Sequence, residues 1–370
     1  MEFTIDARAL LAGVMKVYPT LNQEVTIDAL KGFKFELGKG DVRGLIISGT
    51  DLTYSVKHGI KEGTGGLKIL DTEPVPFVVG ATVIKNMLEV LDGELHITRG
   101  SNTLSIKTQG SKFNLMIAQA DIYPQLPIPS GKDFLEVDRK AFEAVMRRIV
   151  PFRSLDSTRY TMEGIYFEDN KAMSSDGHRM AIEKIGWAFP HCLLPAEILQ
   201  KFLAGMDSKS EAPLRVINEK NAVFIIDGTT VYTIKKIEGE FPDILQVLPT
   251  RNEGNFRIKY QCSASFKKDV FLNALSKLRI TNYQKCRRVA VKFTPFGATL
   301  SCENPEIGQS VVEVAGQTKG EVTFGINVDY LMQAIKVFDG ENITLEAASR
   351  LDPIVIREGD YQHVIMPLRI

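Results

Sequence analysis

The sequence predicts an α+β protein made of three tandem copies of one domain, each with two helices packed on a strand-rich sheet. The first observation is a closing strand that occurs three times, at residues 112–117, 231–234 and 364–370. The first two strands lead into proline-containing turns at Tyr123-Pro124 and Phe241-Pro242. A repeated pair of amphipathic helices and a set of period-two strands indicate the same three copies.

The third closing strand runs on through the apolar sequence Val364-Ile365-Met366-Pro367-Leu368-Arg369-Ile370. Terminal residues of folded proteins are usually frayed and solvated. We therefore expect this run to be the last strand of a sheet, with a tail that lines a neighbouring feature. The two earlier closing strands continue into linkers, so only the third copy leaves the end of its strand free.

An amphipathic helix opens each copy. Asp6 and Asp138 are the predicted N-caps of the first two helices, and Ser265 is predicted to begin the third. The predicted buried faces are Leu10, Val14 and Val17; Phe142, Val145, Met146 and Ile149; and Phe271, Leu275 and Leu278. These residues recur at helical spacing, with polar side chains on the opposite sides.

A second helix lies near the middle of each copy. Its predicted buried residues are Ile84, Met87, Leu88 and Leu91; Ile198, Phe202 and Leu203; and Leu331, Ala334, Ile335 and Phe338. Gly93 and Gly340 come after the first and third of these helices in matching turns. Both glycines are predicted to stop their helices by adopting a positive φ.

Period-two strands lie between the helices, at 44–51, 172–177 and 298–305. Short linkers are predicted at 127–132 and 249–254. The predicted domains are therefore 1–128, 133–249 and 255–370. Copies of this size are too large for a solenoid, and tandem domains favour a symmetric assembly.

Composition narrows the function classes. The chain of 370 residues suits two or three domains, and it carries 45 Lys and Arg against 45 Asp and Glu. A net charge of zero argues against nucleic-acid binding by bulk charge, but not against a basic surface on one side. We expect Cys192, Cys262, Cys286 and Cys302, which have no CxxC spacing, to be free thiols of a cytoplasmic protein. The start of the chain has no signal-peptide pattern and no apolar run approaches a membrane span, so no membrane association is expected.

No catalytic constellation is found in the sequence. The motifs GxGxxG, GxxxxGK[ST], HExxH and GxSxG are absent, and the five histidines are dispersed. His178 lies between Asp176-Gly177 and Arg179, which would suit acid–base work, but a polar turn with a hydrogen-bonded imidazole explains it better. The carboxylates form no DxD or ExxH cluster, so neither a metal nor another cofactor is expected.

Basic residues recur on the predicted helices. They are Lys16, Lys85, Lys140, Arg147, Arg148, Lys201, Lys277 and Lys336. Each alone is explained as an ordinary solvated face. If symmetry directs all the helices at one axis, however, a neutral protein acquires a positive hole that contacts phosphates without reading bases.

Five motifs in this order are typical of one family. They are Thr50-Asp51-Leu52, Ser175-Asp176-Gly177-His178-Arg179-Met180, Phe241-Pro242-Asp243, Glu303-Asn304-Pro305-Glu306 and the ending from Val364. Over its whole length the chain resembles the bacterial DNA polymerase III beta subunit family, the sliding clamps. The resemblance implies three DNA-clamp domains with antiparallel sheets, and a head-to-tail homodimeric ring whose helices line the hole. It also implies a non-enzymatic role in DNA replication as a processivity factor.

The resemblance further implies partners and contact residues. The partners are duplex DNA bound without sequence preference, a clamp loader, the DNA polymerase III alpha subunit and other proteins with a clamp-binding motif. The ring is expected to close through Ile84, Leu88, Phe113 and Leu115 of the first domain against Leu278 and Ile280 of the third. Arg153 and Tyr160 join the helical basic residues as expected DNA contacts.

The family's partner-peptide groove lies between the second and third domains. Carried over by motif, it comprises Arg159, Met162, Ser175, Gly177, His178, Arg179, Met180, Pro242, Val247, Leu351, Pro353, Val364, Ile365, Met366, Pro367, Leu368, Arg369 and Ile370. Such an apolar groove suits a short peptide with a Gln and with Leu and Phe anchors. The other explanation is that the tail fills the core, and a terminal strand can do both.

Two departures from the family pattern stand out. Gln246 occupies a position where the family often has Arg, and the segment 20–26 lacks the usual Pro-Ile-Leu. They indicate a divergent lineage, or a phage or plasmid copy. Two other functions stay open at this point: a monomeric adaptor that uses the same groove without closing a ring, and an enzyme acting on DNA ends through the His178 turn.

Overall fold

The computed structural model describes the whole chain except residues 23, 39–42, 71–74, 132, 208–209, 249–259, 261 and 281–286. The chain forms two compact units. Unit 1 contains Met1–Phe142 and Glu197–Lys236, and unit 2 contains Glu143–Ala196 and Ile237–Ile370. The second predicted domain is thus divided between the units, and the three predicted domain boundaries stay a prediction. The predicted linker at 249–254 and Cys286 lie outside the described residues.

The described residues contain six α-helices and 26 strands. The helices are α1 (Ala7–Val17), α2 (Ala81–Leu88), α3 (Arg139–Ile149), α4 (Ala196–Gly205), α5 (Lys268–Leu278) and α6 (Val328–Lys336). The first ten strands are β1 (Glu2–Asp6), β2 (Gly32–Leu37), β3 (Gly44–Thr50), β4 (Tyr54–Lys61), β5 (Lys68–Ile69), β6 (Phe77–Gly80), β7 (Glu94–Arg99), β8 (Thr103–Thr108), β9 (Ser111–Gln119) and β10 (Leu135–Val137). The next seven are β11 (Gly164–Glu168), β12 (Lys171–Ser175), β13 (Arg179–Lys184), β14 (Cys192–Pro195), β15 (Leu214–Asn218), β16 (Ala222–Asp227) and β17 (Thr230–Lys235). The last nine are β18 (Cys262–Lys267), β19 (Arg288–Thr294), β20 (Gly297–Asn304), β21 (Gly308–Ala315), β22 (Gln317–Lys319), β23 (Thr323–Asn327), β24 (Asn342–Ala347), β25 (Ile354–Glu358) and β26 (Tyr361–Ile365).

Unit 1 contains one antiparallel sheet of thirteen strands, in the order β10-β15-β16-β17-β4-β3-β2-β6-β9-β8-β7-β1-β5. Its central pairing joins β4 to β17, with Tyr54 opposite Ile234 and Thr230 opposite His58. Strand β4 of the first copy therefore forms a hydrogen-bonded ladder with β17, the closing strand of the second copy.

Unit 2 repeats this arrangement in a sheet of nine strands, in the order β14-β11-β12-β13-β26-β25-β24-β18-β22. Here β13 of the second copy pairs with β26, the closing strand of the third, with Arg179 opposite Ile365. A second sheet of unit 2 has the order β21-β20-β19-β23. These pairings confirm the predicted antiparallel α+β architecture.

Two of the three predicted helix starts are confirmed. The Asp6 carboxylate accepts the backbone N–H groups of Arg8 at 2.9 Å and Ala9 at 3.2 Å, and Asp138 accepts the N–H of Ala141 at 2.7 Å. The third prediction is wrong, because α5 begins at Lys268. Ser265 is instead part of β18, where it pairs with β24 on one side and β22 on the other.

The predicted buried faces of the helices pack into the cores, with two exceptions. Leu91, which lies just after the end of α2, and Leu203 are half-buried. Phe338 is buried as predicted, although it lies just after the end of α6. Gly93 has the predicted positive φ, 79°. Gly340 does not adopt a positive φ, and its N–H donates to the Glu358 carboxylate.

Arg139 is a basic residue whose charged side chain is buried. The sequence places it beside Lys140, yet its side chain is buried with 2% of its surface exposed. Its guanidinium donates to both oxygens of Asp227, at 3.0 and 2.5 Å, and to the backbone carbonyls of Ala212 and Asp207. Burial acts to raise the pKa of Asp227, but the bonds from Arg139 outweigh it and the net shift is downward.

Replacing Arg139 by Leu leaves the Asp227 carboxylate buried without its cation. We expect this variant to lose about 3–5 kcal/mol of unfolding free energy in urea titration, because an unpaired buried charge is far more costly than an exposed one. Its control is Lys140→Leu at the exposed neighbouring position, with a change of about 0.5 kcal/mol or less. Equal losses for the two variants would contradict a structural role for the buried pair.

Candidate peptide-binding site

The centre of the candidate site is a turn between β12 and β13. The Asp176 carboxylate accepts the backbone N–H groups of His178 at 2.9 Å and Arg179 at 3.0 Å. The Ser175 hydroxyl accepts the N–H of Gly177 at 3.1 Å and donates to the carbonyl of Arg179 at 2.9 Å. Gly177 has a φ of 86°. Short side chains thus fix the turn, while Gly177 and His178 face solvent.

Gly177 leaves room for two neighbouring side chains. A Cβ atom at this position would lie 2.5 Å from Nη1 of Arg159 and 3.9 Å from Cε of Met162. The same Arg159 nitrogen donates to the carbonyl of Asp176 at 3.3 Å. Arg159 is exposed and Met162 is 9% exposed. The structure therefore brings Arg159, Met162 and Gly177 together, as predicted from the family motif.

Arg179 supports the turn from behind. It is 8% exposed, its Nε donates to Asp176 at 2.9 Å, and its Nη1 donates to Gln333 at 2.6 Å. Its guanidinium carbon lies 4.3 Å from the ring centroid of Tyr330 and 5.1 Å from that of Phe152. This geometry makes Arg179 a residue that positions the turn, because its charge and its ring-stacking face are already used inside the protein.

Met180 and Val364 form an apolar surface beside the turn, on one face of the sheet, whereas Ile365 lies on the other face. Met180 lies opposite Val364 in the β13–β26 ladder, and all three side chains are 5% exposed or less. Met180 and Val364 share one apolar cluster with Met173, Ile182, Ile244 and Val355. Phe241, Leu245 and Leu248 pack against this cluster. The linker side of the predicted groove is therefore anchored through Ile244.

The tail after β26 is held by its backbone. The N–H of Met366 donates to the carbonyl of His178 at 2.9 Å, and the N–H of Leu368 donates to the carbonyl of Gly325 at 2.8 Å. Arg288 donates to the carbonyl of Arg369 at 2.8 Å. Leu368 is 39% exposed and Ile370 is 56% exposed. The end of the chain therefore has two parts. The side chains of Val364 and Ile365 are buried in the core, and those of Leu368 and Ile370 present exposed apolar surface.

The remaining predicted groove residues lie at its borders. Pro242 and Val247 flank the buried Ile244 and are exposed. Gln246, which replaces the usual Arg, donates its amide to Asp243 at 2.8 Å. Leu351 is exposed after β24, and Pro353 is buried immediately before β25. Pro367 is half-buried and Arg369 is exposed.

Sequence reasoning missed the residues that hold Arg179. Tyr330 and Gln333 lie three positions apart on α6, so they share one helix face. Phe152 lies in a short helical turn after α3. No local signal links these three residues to a turn elsewhere in the chain, because their contact with Arg179 depends on tertiary packing.

Several predicted DNA-facing residues already have partners within their own unit. Lys85 pairs with Glu89 at 2.7 Å, Lys201 with Glu197 at 3.1 Å and Arg147 with Asp339 at 2.9 Å. The ammonium of Lys16 donates to the carbonyl of Gly205 at 2.7 Å. Lys140, Lys277, Lys336 and Tyr160 are exposed, and Arg153 is half-buried. Among the predicted contacts on the helices, Lys140, Lys277 and Lys336 are thus the exposed ones that form no ion pair with the residues that the structure describes.

Arg148 is less available than the sequence predicts. Only 18% of its side chain is exposed, and it lies 3.4 Å from Glu183 and 3.7 Å from Asp339. Burial raises the pKa of Glu183 to about 7, although Arg148 acts in the opposite direction. The Arg148 side chain is therefore tied to a buried carboxyl and does not project freely from its helix.

The predicted dimer-interface residues fall into two groups. Ile84, Leu88 and Leu278 are 0–1% exposed and pack inside their own units, because they lie on the buried faces of their helices. Phe113 and Leu115 are half-buried on β9, and Ile280 is 76% exposed. Residues 111–116 of β9 pair with β8, whereas the pairing of β9 with β6 covers only 117–119. The four-stranded sheet of unit 2 has β21 and β23 at its edges, and the sequence did not single out β21.

Within the described residues, no group of His, Cys, Asp and Glu side chains is arranged to hold a metal ion. Cys192, Cys262 and Cys302 form no disulfide bond with one another. No helix among the described residues is both long enough and apolar enough to span a membrane.

Comparison with known proteins gives one consistent result. Residues 1–127 match the family model for the N-terminal domain of the DNA polymerase III beta subunit, and residues 246–369 match that for its C-terminal domain. The beta sliding clamp of Caulobacter vibrioides is 24% identical and that of Bacillus subtilis 25%, each over the full length of both chains.

Solved structures show the same fold. A DNA polymerase sliding clamp from Bacillus subtilis superposes with a TM-score of 0.90 at 21% identity, covering all of this chain and 99% of its own. A DNA polymerase III beta subunit from Pseudomonas aeruginosa gives a TM-score of 0.88 at 20% identity and covers both chains completely.

The Gly177 geometry makes a specific prediction. Gly177→Ala should lower the free energy of unfolding by about 1–2 kcal/mol, because Ala disfavours a positive φ and its Cβ would displace Arg159. Thermal unfolding measures the loss. Gly186→Ala in the same unit is the matched control, since a Cβ there meets open space and its φ is not positive. A loss at Gly186 as large as at Gly177 would contradict this account of the turn.

Proposed function

Because the chain belongs to the DNA polymerase III beta subunit family, we propose that it is a sliding clamp, which encircles duplex DNA and keeps the replicative polymerase on its template. The observation that carries the proposal is that family models match both the first and the last third of the chain in order. The clamp fold over the whole length supports it. The role is that of a non-enzymatic processivity factor in the cytoplasm.

We propose that two copies close head to tail into a ring. An open strand edge is a template for pairing with another chain. Unit 1 offers such an edge at residues 111–116 of β9, and unit 2 offers one at β21. Phe113, Leu115 and Ile280 are the accessible apolar side chains that would accompany this pairing.

DNA contact is proposed to run through the exposed helical lysines. Lys140, Lys277 and Lys336 lie on three different helices and are free to meet phosphates. Phosphate contacts carry no sequence information, so they suit a protein that must slide. Lys85, Lys201 and Arg147 already form ion pairs with carboxylates, so they attract DNA phosphates less strongly. A weaker attraction favours mobile binding over tight binding.

Partner proteins are proposed to bind the groove built around the Ser175–Arg179 turn and the tail. Leu368, Ile370, Val247 and Leu351 give it exposed apolar surface. A short segment with Leu and Phe anchors matches this chemistry, and Gly177 and His178 provide an open polar border. The proposed users are the DNA polymerase III alpha subunit, the clamp loader and other proteins with a clamp-binding motif.

The decisive experiment tests topological binding. We expect protein loaded by a clamp loader to stay on circular duplex DNA through gel filtration, and to be released when the circle is cut once. A ring is held by its topology, so linear ends release it without any change in local contacts. Mock digestion of the same circle is the control.

Equal retention on circular and linear DNA would contradict the sliding clamp. Sedimentation of the free protein at micromolar concentration gives a second reading. A dimer supports ring closure, whereas a stable monomer would favour an adaptor that uses the same groove without closing a ring.

The groove has its own test. Deleting Met366–Ile370 should weaken binding of the pentapeptide Gln-Leu-Ser-Leu-Phe by about tenfold or more in calorimetry, while the dimer persists. Leu368→Ala should weaken it less. Ile122→Ala is the matched control, because Ile122 is 60% exposed in unit 1, away from the groove. Unchanged peptide affinity after the deletion would exclude the tail from the binding site.

A further inference from the structure

The Ser175–Arg179 turn has a structural twin in unit 1, between β3 and β4. The Thr50 hydroxyl accepts the N–H of Leu52 at 2.9 Å and donates to the carbonyl of Tyr54 at 2.9 Å. The Asp51 carboxylate accepts the N–H groups of Thr53 at 2.9 Å and Tyr54 at 2.8 Å. Leu52 has a φ of 76°, close to the 86° of Gly177. The four bonds between the turn's own hydroxyl and carboxylate and its backbone are thus all repeated here.

The strand beside the twin turn is repeated as well. β17 pairs with β4 as β26 pairs with β13. The N–H of Lys235 donates to the carbonyl of Thr53 at 2.9 Å, as the N–H of Met366 donates to that of His178. The Tyr123-Pro124 turn corresponds in sequence to Phe241-Pro242. Unit 1 therefore contains the framework of a second groove.

A cavity of about 430 Å³ lies within this framework. Four segments line it: the turn at 50–55, the extended segment 124–127, the turn at 219–222, and β17 through Thr233 and Lys235. A volume of this size falls in the range of sites that hold small ligands or a few side chains. All four segments belong to unit 1.

The two frameworks differ in the path of the chain beyond the closing strand. After β26 the tail continues along β23, where Leu368 pairs with Gly325. After β17 the N–H of Lys236 continues the pairing with the strand before it, donating to the carbonyl of Asn221 at 3.0 Å, and the chain then leaves unit 1. The unit 1 cavity therefore has the turn at 219–222 beside its closing strand, where the other framework has a free apolar tail.

The lining of the cavity selects its ligand. Leu52 is 55% exposed, and the half-buried Leu126 and Ala222 add further apolar surface. Lys220 and Lys235 are exposed, and neither ammonium pairs with a carboxylate among the residues that the structure describes.

The one carboxylate in the lining, Glu219, is already engaged. It accepts the backbone N–H of Ser130 at 2.6 Å and that of Gly131 at 3.4 Å, together with the Ser130 hydroxyl at 2.9 Å. The lining as a whole is mainly apolar, and its border carries two lysines against one carboxylate, a net positive charge.

We propose that this cavity is a second docking groove, for an extended acidic segment of a partner protein. One apolar side chain of the segment packs between Leu52 and Leu126, and carboxylates beside it meet Lys220 and Lys235. The positive border excludes a basic segment. The groove works independently of the tail, so it does not depend on the function proposed for the Ser175–Arg179 groove.

The test monitors methyl resonances of the full-length protein during titration with two peptides. The probe is acetyl-Glu-Leu-Asp-Leu-Glu-amide, and acetyl-Lys-Leu-Lys-Leu-Lys-amide is the charge-reversed control. We expect saturable shifts of the Leu52, Leu126 and Ala222 methyl groups with the acidic peptide alone. The shifts should persist after deletion of Met366–Ile370, which separates this groove from the tail groove.

Two sets of variants probe the lining. The double variant Lys220→Glu, Lys235→Glu should weaken binding of the acidic peptide by about tenfold or more. Lys107→Glu, a charge reversal at an exposed position on β8, should leave the affinity unchanged. Leu52→Gly should also weaken it by about tenfold, and it should fold well because Gly accepts a positive φ.

Three results would overturn the proposal. They are equal affinity for both peptides, no methyl shift in this cavity up to about 5 mM peptide, and loss of the shifts on deletion of the tail. Methyl shifts that arise from raising the protein concentration alone would show that a second copy of this chain occupies the cavity. That result would also overturn the proposal, in favour of self-association.

Discussion

The structure depends on one ladder of backbone hydrogen bonds, formed twice. In each unit an inner strand of one copy pairs with the closing strand of the next, β4 with β17 and β13 with β26. Each ladder begins at a turn whose shape is set by a hydroxyl and a carboxylate, Thr50 with Asp51 and Ser175 with Asp176. The ladder merges two copies into one sheet, and it places the turn next to the segment that leaves the closing strand. Both candidate grooves are consequences of that placement.

Much of the fold could be predicted from the sequence, because its signals are local. A period of two defines the strands, helical spacing defines the buried faces, and Asp6 and Asp138 mark two helix starts. Ser265 misled because a serine that suits an N-cap also fits a strand, and its pairing partners lie more than fifty residues away. The buried ion pair of Arg139 could not be predicted for a similar reason, since Asp227 is 88 residues further along the chain.

The candidate site could be predicted only in outline. Family motifs identified the Ser175–Arg179 turn and the tail. They did not show that the Arg179 guanidinium is already bonded to Asp176 and Gln333 and stacked on two aromatic rings. The basic residues show the same limit. A sequence reveals that Arg148 and Lys85 are cationic, whereas their ion pairs depend on distances that only the folded chain fixes. Lys140, Lys277 and Lys336 differ from the other predicted helical contacts because they are exposed and form no ion pair within the described part of the chain.

Within each turn some residues act through their side chains and one acts only through its backbone. This difference affects how a duplicated domain acquires new specificity. The first two residues of the turn supply the side-chain bonds, and the third contributes only its backbone N–H to them. The side chain of the third residue takes no part in these bonds, and it is Leu52 in one copy and Gly177 in the other. Divergence at that position alters the wall of the adjoining groove while the joint between copies keeps its bonds. Tandem duplication thus provides a second recognition surface, whose variation is limited by the positive φ that this position adopts in both copies.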